Sequence, residues 1–227
     1  MNTRTLGKNG PIVGEIGLGC WQLGGTDFGP LEEKTGHQIL AAAKKSGTNF
    51  FDTANVYGSG RSETIIGEFL KSHGEGTIVA SKTGREVYPD GYSKENLRKS
   101  TLESMDRLGV ASLDLLQLHC VPHAILIDGA IFDWLRELKD EGLIRSFGAS
   151  VESVEEALTC LEHEDLLSLQ VIFNPFRQKI IDELFPRAEE IGVGIIARLP
   201  LASGLLSGKF AADTTFGESD HRNFNRD

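Results

Sequence analysis

Seven short apolar runs punctuate the chain, at residues 16–20, 48–52, 77–82, 113–118, 144–149, 167–172 and 193–197. They are continuous rather than alternating, the pattern of strands covered on both faces and hence of a parallel sheet. Helical spacing occupies the stretches between them: 33–46, 61–71, a helix from a Ser93 cap to Leu108, then 127–141, 150–161 and 180–191. Strand–helix units of roughly thirty residues repeated in this way predict an α/β fold, the (β/α)8 TIM barrel. Residues 4–6 and 12–15, joined across an Asn9-Gly10 turn, predict an N-terminal β-hairpin ahead of it. No linker or low-complexity segment interrupts the pattern, so 1–227 reads as a single domain.

After the seventh run the chain becomes rich in Gly, Asp and Thr, and no eighth apolar run follows. The expectation is a barrel lacking its eighth βα unit in this chain, with the natural protein continuing past Asp227 by about thirty residues. Residues 210–227 are then expected to form a long loop over the site. A barrel without one strand would present two unpaired edges.

A net charge of −10 argues against nucleic acid and anionic membranes as partners, since both call for a basic surface. Any phosphate ligand must be held by a local site. Cys20, Cys120 and Cys160 are odd in number and widely spaced, which fits reduced thiols and a cytoplasmic setting. No run approaches ~18 apolar residues, so a membrane span is not expected.

Three of the runs end in ionisable residues. Asp52 closes the second, Lys82 the third, and His119 follows the fourth, while Tyr57 lies five residues beyond Asp52 in a Gly-rich loop. In a barrel of parallel strands these ends converge on one face. A phenol is a reluctant proton donor at neutral pH, and a neighbouring ammonium makes it a better one. Lys82 is placed to supply that charge, Asp52 to hold Lys82, and His119 to orient a carbonyl oxygen. Such a set suits carbonyl reduction, where negative charge develops on oxygen as hydride reaches carbon. No side chain delivers hydride, so a nicotinamide cofactor is implied.

The segments FDTANVYGSGRSE, IVASK, LDLLQLH, RSFGAS, SLQVIFNPF and PLASGLLSGKF, in this order, resemble those of the aldo-keto reductase superfamily. The resemblance implies Asp52, Tyr57, Lys82 and His119 as catalytic residues. It also implies NADPH as cofactor, with NADH possible, and a small-molecule carbonyl substrate. Ser150 and Gln170 would bind the nicotinamide carboxamide, and Leu201, Ser203, Gly204, Leu205 and Lys209 would lie along the cofactor. Val151 stands where an Asn often follows the Ser, and Arg198 where an aromatic commonly stacks on nicotinamide; a planar guanidinium can also stack on a ring. Trp21 and Tyr88 are the candidate walls of the substrate pocket.

Plainer readings stand beside these. Asp52 and Lys82 could be a structural ion pair, and Gly58-x-Gly60 lacks the third glycine of a dinucleotide fingerprint. His119-Cys120-x-x-His123 has no second ligand pair at metal-binding spacing, so no metal is expected. The alternatives to a reductase are a cofactor-binding regulatory or redox-sensing subunit, and a non-catalytic barrel fragment.

Overall fold

The computed structural model describes residues 1–25, 27–218 and 220–223. A two-stranded antiparallel hairpin, β1 (Thr3–Thr5) and β2 (Ile12–Gly14), precedes a curled parallel sheet. The sheet contains β3 (Leu18–Gly19), β4 (Phe50–Asp52), β5 (Ile78–Thr83), β6 (Leu115–His119), β7 (Phe147–Ser150), β8 (Leu166–Ile172) and β9 (Gly194–Arg198), paired in sequence order. This is barrel order, and β3 and β9 are its two ends.

Helices cover the outer face: α1 (Glu33–Lys45), α2 (Arg61–His73), α3 (Lys94–Leu108), α4 (His123–Asp128), α5 (Ala130–Asp140), α6 (Val154–Cys160) and α7 (Leu184–Ile191). The main core lies between them and the strands, where Phe51, Leu116, Phe147 and Leu169 meet Ile66, Phe132, Leu135 and Leu184. Burial of β5, β6, β7 and β8 on both faces accounts for their predominantly apolar sequences.

Local chemistry sets the helix boundaries. Ser93 accepts from the Asn96 amide at the start of α3, and Gly109 ends that helix in the left-handed region at φ 67°. The stretch 127–141 forms two helices rather than one, because Gly129 at φ 81° closes α4 and opens α5. The stretch 150–161 yields only α6. Ser150 is the last residue of β7, and Ser153 is the cap, in a reciprocal capping box with Glu156. A 3-10 turn over Lys179–Ile181 precedes α7, so the 180–191 pattern is also shorter than its periodicity predicts.

Register carries the chemistry to one end of the sheet. Gly19 lies opposite Asp52, Lys82 opposite Gln117, His119 opposite Ser150, Ser150 opposite Gln170, and Ile172 opposite Arg198. Beyond β9 the chain runs through a distorted 3-10 stretch, Ala202–Ser207, with no further strand among the described residues. The last four residues of the expected loop over the site, 224–227, lie outside the described residues. Within the described part, the His221 amide donates to the Asp27 carbonyl, and its ring packs on Trp21 and Phe28.

Candidate active site

Asp52 ends β4, and Tyr57 follows on a tight loop whose backbone presses against the turn after β3. A Cβ on Gly58 would sit 2.3 Å from the Gly24 carbonyl oxygen, and Gly58 itself has φ +61°. Glycine is therefore required here by close approach and by conformation. From behind, the Ser62 hydroxyl donates to the Cys20 carbonyl and lies 2.8 Å from Thr53 Oγ1. The loop carrying Tyr57 is thus fastened to two strands.

The Lys82 side chain is fully buried, and all three of its N–H groups are directed. Nζ donates to Asp52 Oδ2 at 2.7 Å and to the Thr53 carbonyl at 2.7 Å, and it lies 3.5 Å from Tyr57 Oη. The other Asp52 oxygen, Oδ1, accepts from Gln117 Nε2 at 3.0 Å and Gln170 Nε2 at 2.9 Å. The Tyr57 ring stacks on Trp21 with centroids 5.8 Å apart and meets His119 edge-on at 5.8 Å. His119 Nδ1 is buried and has no hydrogen-bond partner among the described residues.

Electrostatics differ from the sequence expectation at one point. Burial pushes the Tyr57 phenol above its ordinary pKa. Lys82 pulls the other way but does not win, and the Asp52 charge adds to the rise. Burial also opposes the Lys82 ammonium, yet Asp52 and Tyr57 outweigh it and hold Lys82 charged, with a raised pKa. Burial lowers His119 well below the usual imidazole value, helped by Lys82, Arg198 and Arg85, so His119 is neutral at pH 7. The site therefore holds a protonated phenol, an ammonium and a neutral imidazole, with Asp52 paired to the ammonium.

A groove of about 1720 Å³ opens beside these groups, between the β3 and β9 edges. Trp21, Tyr57, His119 and Arg198 line it near the Lys82–Asp52 pair. Leu201, Ser203, Gly204 and Lys209 line it further out. Gln170 reaches its floor, while Ser150 is buried beneath, its hydroxyl 3.4 Å from Gln170 Oε1. Arg198 Nη2 lies 3.4 Å from the Val151 carbonyl and 3.9 Å from Cys120 Sγ. Two expected positions fall elsewhere. Tyr88 is 58% exposed, packed against Arg85 and outside the groove lining, because its loop turns outward after β5. The Leu205 side chain is 57% exposed and also outside the lining. His123, near His119 in sequence, lies 2.9 Å from Thr159 Oγ1 instead.

Gln117 went unnoticed in the sequence although it contacts Asp52 directly. The signal was present: an amide in the middle of the apolar run 113–118, two residues before His119 and therefore on the same face of the strand.

Residues 15–227 match the Aldo/keto reductase family model. The aldo-keto reductase YhdN of Bacillus subtilis (strain 168) is 31% identical over 229 residues, spanning 98% of this chain and 69% of that protein. The solved glycerol dehydrogenase AKR11B4 from Gluconobacter oxydans is 31% identical with a TM-score of 0.82, over 99% of this chain and 71% of that one. An aldo-keto reductase from Klebsiella pneumoniae in complex with NADPH shares the fold at a TM-score of 0.77 and 24% identity, covering 90% and 70% of the two chains. Fold, strand-end chemistry and sequence agree: the chain belongs to the aldo/keto reductase family of oxidoreductases.

Proposed function

We propose that this protein reduces aldehyde or ketone carbonyls of small molecules to alcohols, with NADPH as hydride source and Tyr57 as proton donor. The observation that carries the reading is the Lys82 ammonium, fixed by Asp52 and the Thr53 carbonyl with its remaining N–H toward the Tyr57 oxygen. A buried, protonated phenol beside a fixed positive charge gives up its proton when negative charge arises on a neighbouring oxygen. Neutral His119 orients that oxygen as a hydrogen-bond partner, and Trp21 forms an apolar wall against which the substrate's carbon skeleton rests.

The residues present fit a nicotinamide. The Ser150 hydroxyl and the Gln170 carbonyl make only a stretched 3.4 Å contact with each other. They offer a donor and an acceptor side by side, the complement of a primary carboxamide. Arg198 Nε is buried without a hydrogen-bond partner among the described residues, and the guanidinium offers a flat surface to a ring. Further along, Leu199, Ala202, Ser203 and Gly204 all have positive φ, an irregular backbone of the kind that turns amides toward phosphates, with Lys209 beside it. The bound cofactor supplies hydride; these residues bind and orient it. NADPH is preferred over NADH in this reading, on the resemblance to the family alone. Among the described residues no helix is long and apolar enough to cross a membrane, and Cys20, Cys120 and Cys160 are free; a cytoplasmic setting is part of the proposal.

Nicotinamide fluorescence titration and aldehyde-dependent oxidation of NADPH test the reading together. Wild-type protein is expected to bind and turn over, and Tyr57→Phe to bind normally but lose roughly 10²-fold or more in kcat. Absence of cofactor binding sinks the reductase reading. Full activity in Tyr57→Phe removes the phenol from the mechanism. Binding without turnover of any aldehyde favours a regulatory subunit.

A further inference from the structure

We propose that Gln117 is a positioning residue for the acid, fixing the Asp52 carboxylate so that Lys82 stays aimed at the Tyr57 phenol. The inference rests on the reading of Tyr57 as proton donor.

Gln117 sits mid-strand on β6 directly opposite Lys82 in the parallel register. Its strand neighbours Leu115, Leu116 and Leu118 are buried apolar residues, and Gln117 is itself fully buried. Only half of its amide is used. Nε2 donates to Asp52 Oδ1 at 3.0 Å, whereas Oε1 is buried with no partner among the described residues. A buried acceptor left unpaired destabilises a fold, and an apolar side chain of the same shape would avoid that loss. Packing therefore does not explain the amide; its hydrogen bond to Asp52 does.

Three donors converge on Asp52, and they are not equivalent. Lys82 takes Oδ2, while Gln117 and Gln170 share Oδ1. The carbonyl of Gln170 lies 3.4 Å from the Ser150 hydroxyl and faces the proposed carboxamide position, so this side chain serves the cofactor as well as Asp52. Gln117 serves Asp52 alone. With Oδ1 held from two strands, the carboxylate plane cannot turn, and Lys82 keeps its third N–H on the phenol. The amides also disperse the Asp52 charge, which otherwise opposes ionisation of Tyr57. Loss of Gln117 frees the carboxylate and concentrates its charge, so the phenol should ionise at higher pH.

In the oxidation direction, an alcohol gives hydride to the oxidised cofactor and its proton to the Tyr57 phenolate, so kcat rises with pH through the phenol's ionisation. Gln117→Leu keeps the side chain's approximate size and removes the donor. It is expected to move that rising limb upward by about half a pH unit or more, with cofactor affinity unchanged. Gln117→Glu replaces the donor with a second carboxyl beside Asp52 and should shift the limb at least as far. A purely structural role would lower stability or the active fraction and leave the limb in place. An activity-independent readout accompanies these. Ultraviolet difference titration of each protein against its Tyr57→Phe counterpart isolates this one phenol. A wild-type protein that neither binds cofactor nor turns over alcohol defeats the reductase reading, while the titration still tests Gln117. Folded Gln117 variants with an unmoved Tyr57 titration overturn the inference.

Discussion

At His119, burial and charge act in the same direction. Burial is the larger cause of its depressed pKa, and Lys82, Arg198 and Arg85 add to it. The unfolded chain therefore takes up a proton near pH 6.5 while the folded chain resists it. Stability conferred by the neutral imidazole is fully present above the unfolded value and is lost as pH falls toward the depressed folded one. Urea unfolding at pH 7.5 and pH 5.5 should show a steeper acid loss in wild type than in His119→Asn; equal losses would show that His119 is not the group responsible. Asp52, Lys82 and His119 were legible because Asp, Lys and His are costly at the ends of apolar runs, and Tyr57 because it follows Asp52 in a Gly-rich loop. Less visible was the direction of loop side chains: Tyr88 and Leu205 point outward, and no periodicity encodes that. The net rise in the Tyr57 pKa was equally hidden, since burial depends on the walls that Trp21 and His119 form around the ring.

Among the elements, α2 does more than cover the sheet. Its Glu63, 0% exposed, accepts from the Ser81 hydroxyl of β5 and from Arg107 Nε of α3 at 2.7 Å. Ser81 immediately precedes Lys82, so this buried carboxylate joins two helices to the lysine strand. Arg107→Ala leaves that carboxylate buried without its cation. Removing one partner of a buried pair costs about 3–5 kcal/mol, and Ser81 still donates, so about 3 kcal/mol is the expected loss in urea unfolding. A change below about 0.5 kcal/mol, the range of ordinary surface substitutions, would mean that the pair does not join these elements. Element order and type were readable from period alone, and the hairpin from Asn9-Gly10. Boundaries were not. Gly129 splits one amphipathic stretch into α4 and α5 without breaking its apolar face, so period carries no trace of the interruption. At α6, two serines three residues apart both suit a cap; only the β7–β8 register decides that Ser150 ends a strand and Ser153 caps the helix.

The whole molecule places its cationic groups against its own net charge. A chain of net charge −10 lines one groove with Arg198 and Lys209, beside Glu152 and an Arg222 whose guanidinium pairs with Asp220. That groove is bounded by the two end strands of the sheet and by the segment after β9, so a ligand within it contacts parts of the fold far apart in sequence. A ligand that binds only the folded state stabilises it by mass action, about 2.7 kcal/mol at a hundredfold excess over Kd. For a chain of this size each kcal/mol corresponds to about 2–4 °C in Tm, so NADPH at that excess should raise Tm by about 5–10 °C. Raising the salt concentration should shrink the shift, because phosphate attraction by solvent-accessible cations is screened while ring stacking and carboxamide contacts are not. Differential scanning fluorimetry with NADPH at low and high salt measures both effects. An unchanged Tm at saturating NADPH would show that the groove is not the cofactor site, and a salt-independent rise would show that the cofactor is held without these cations.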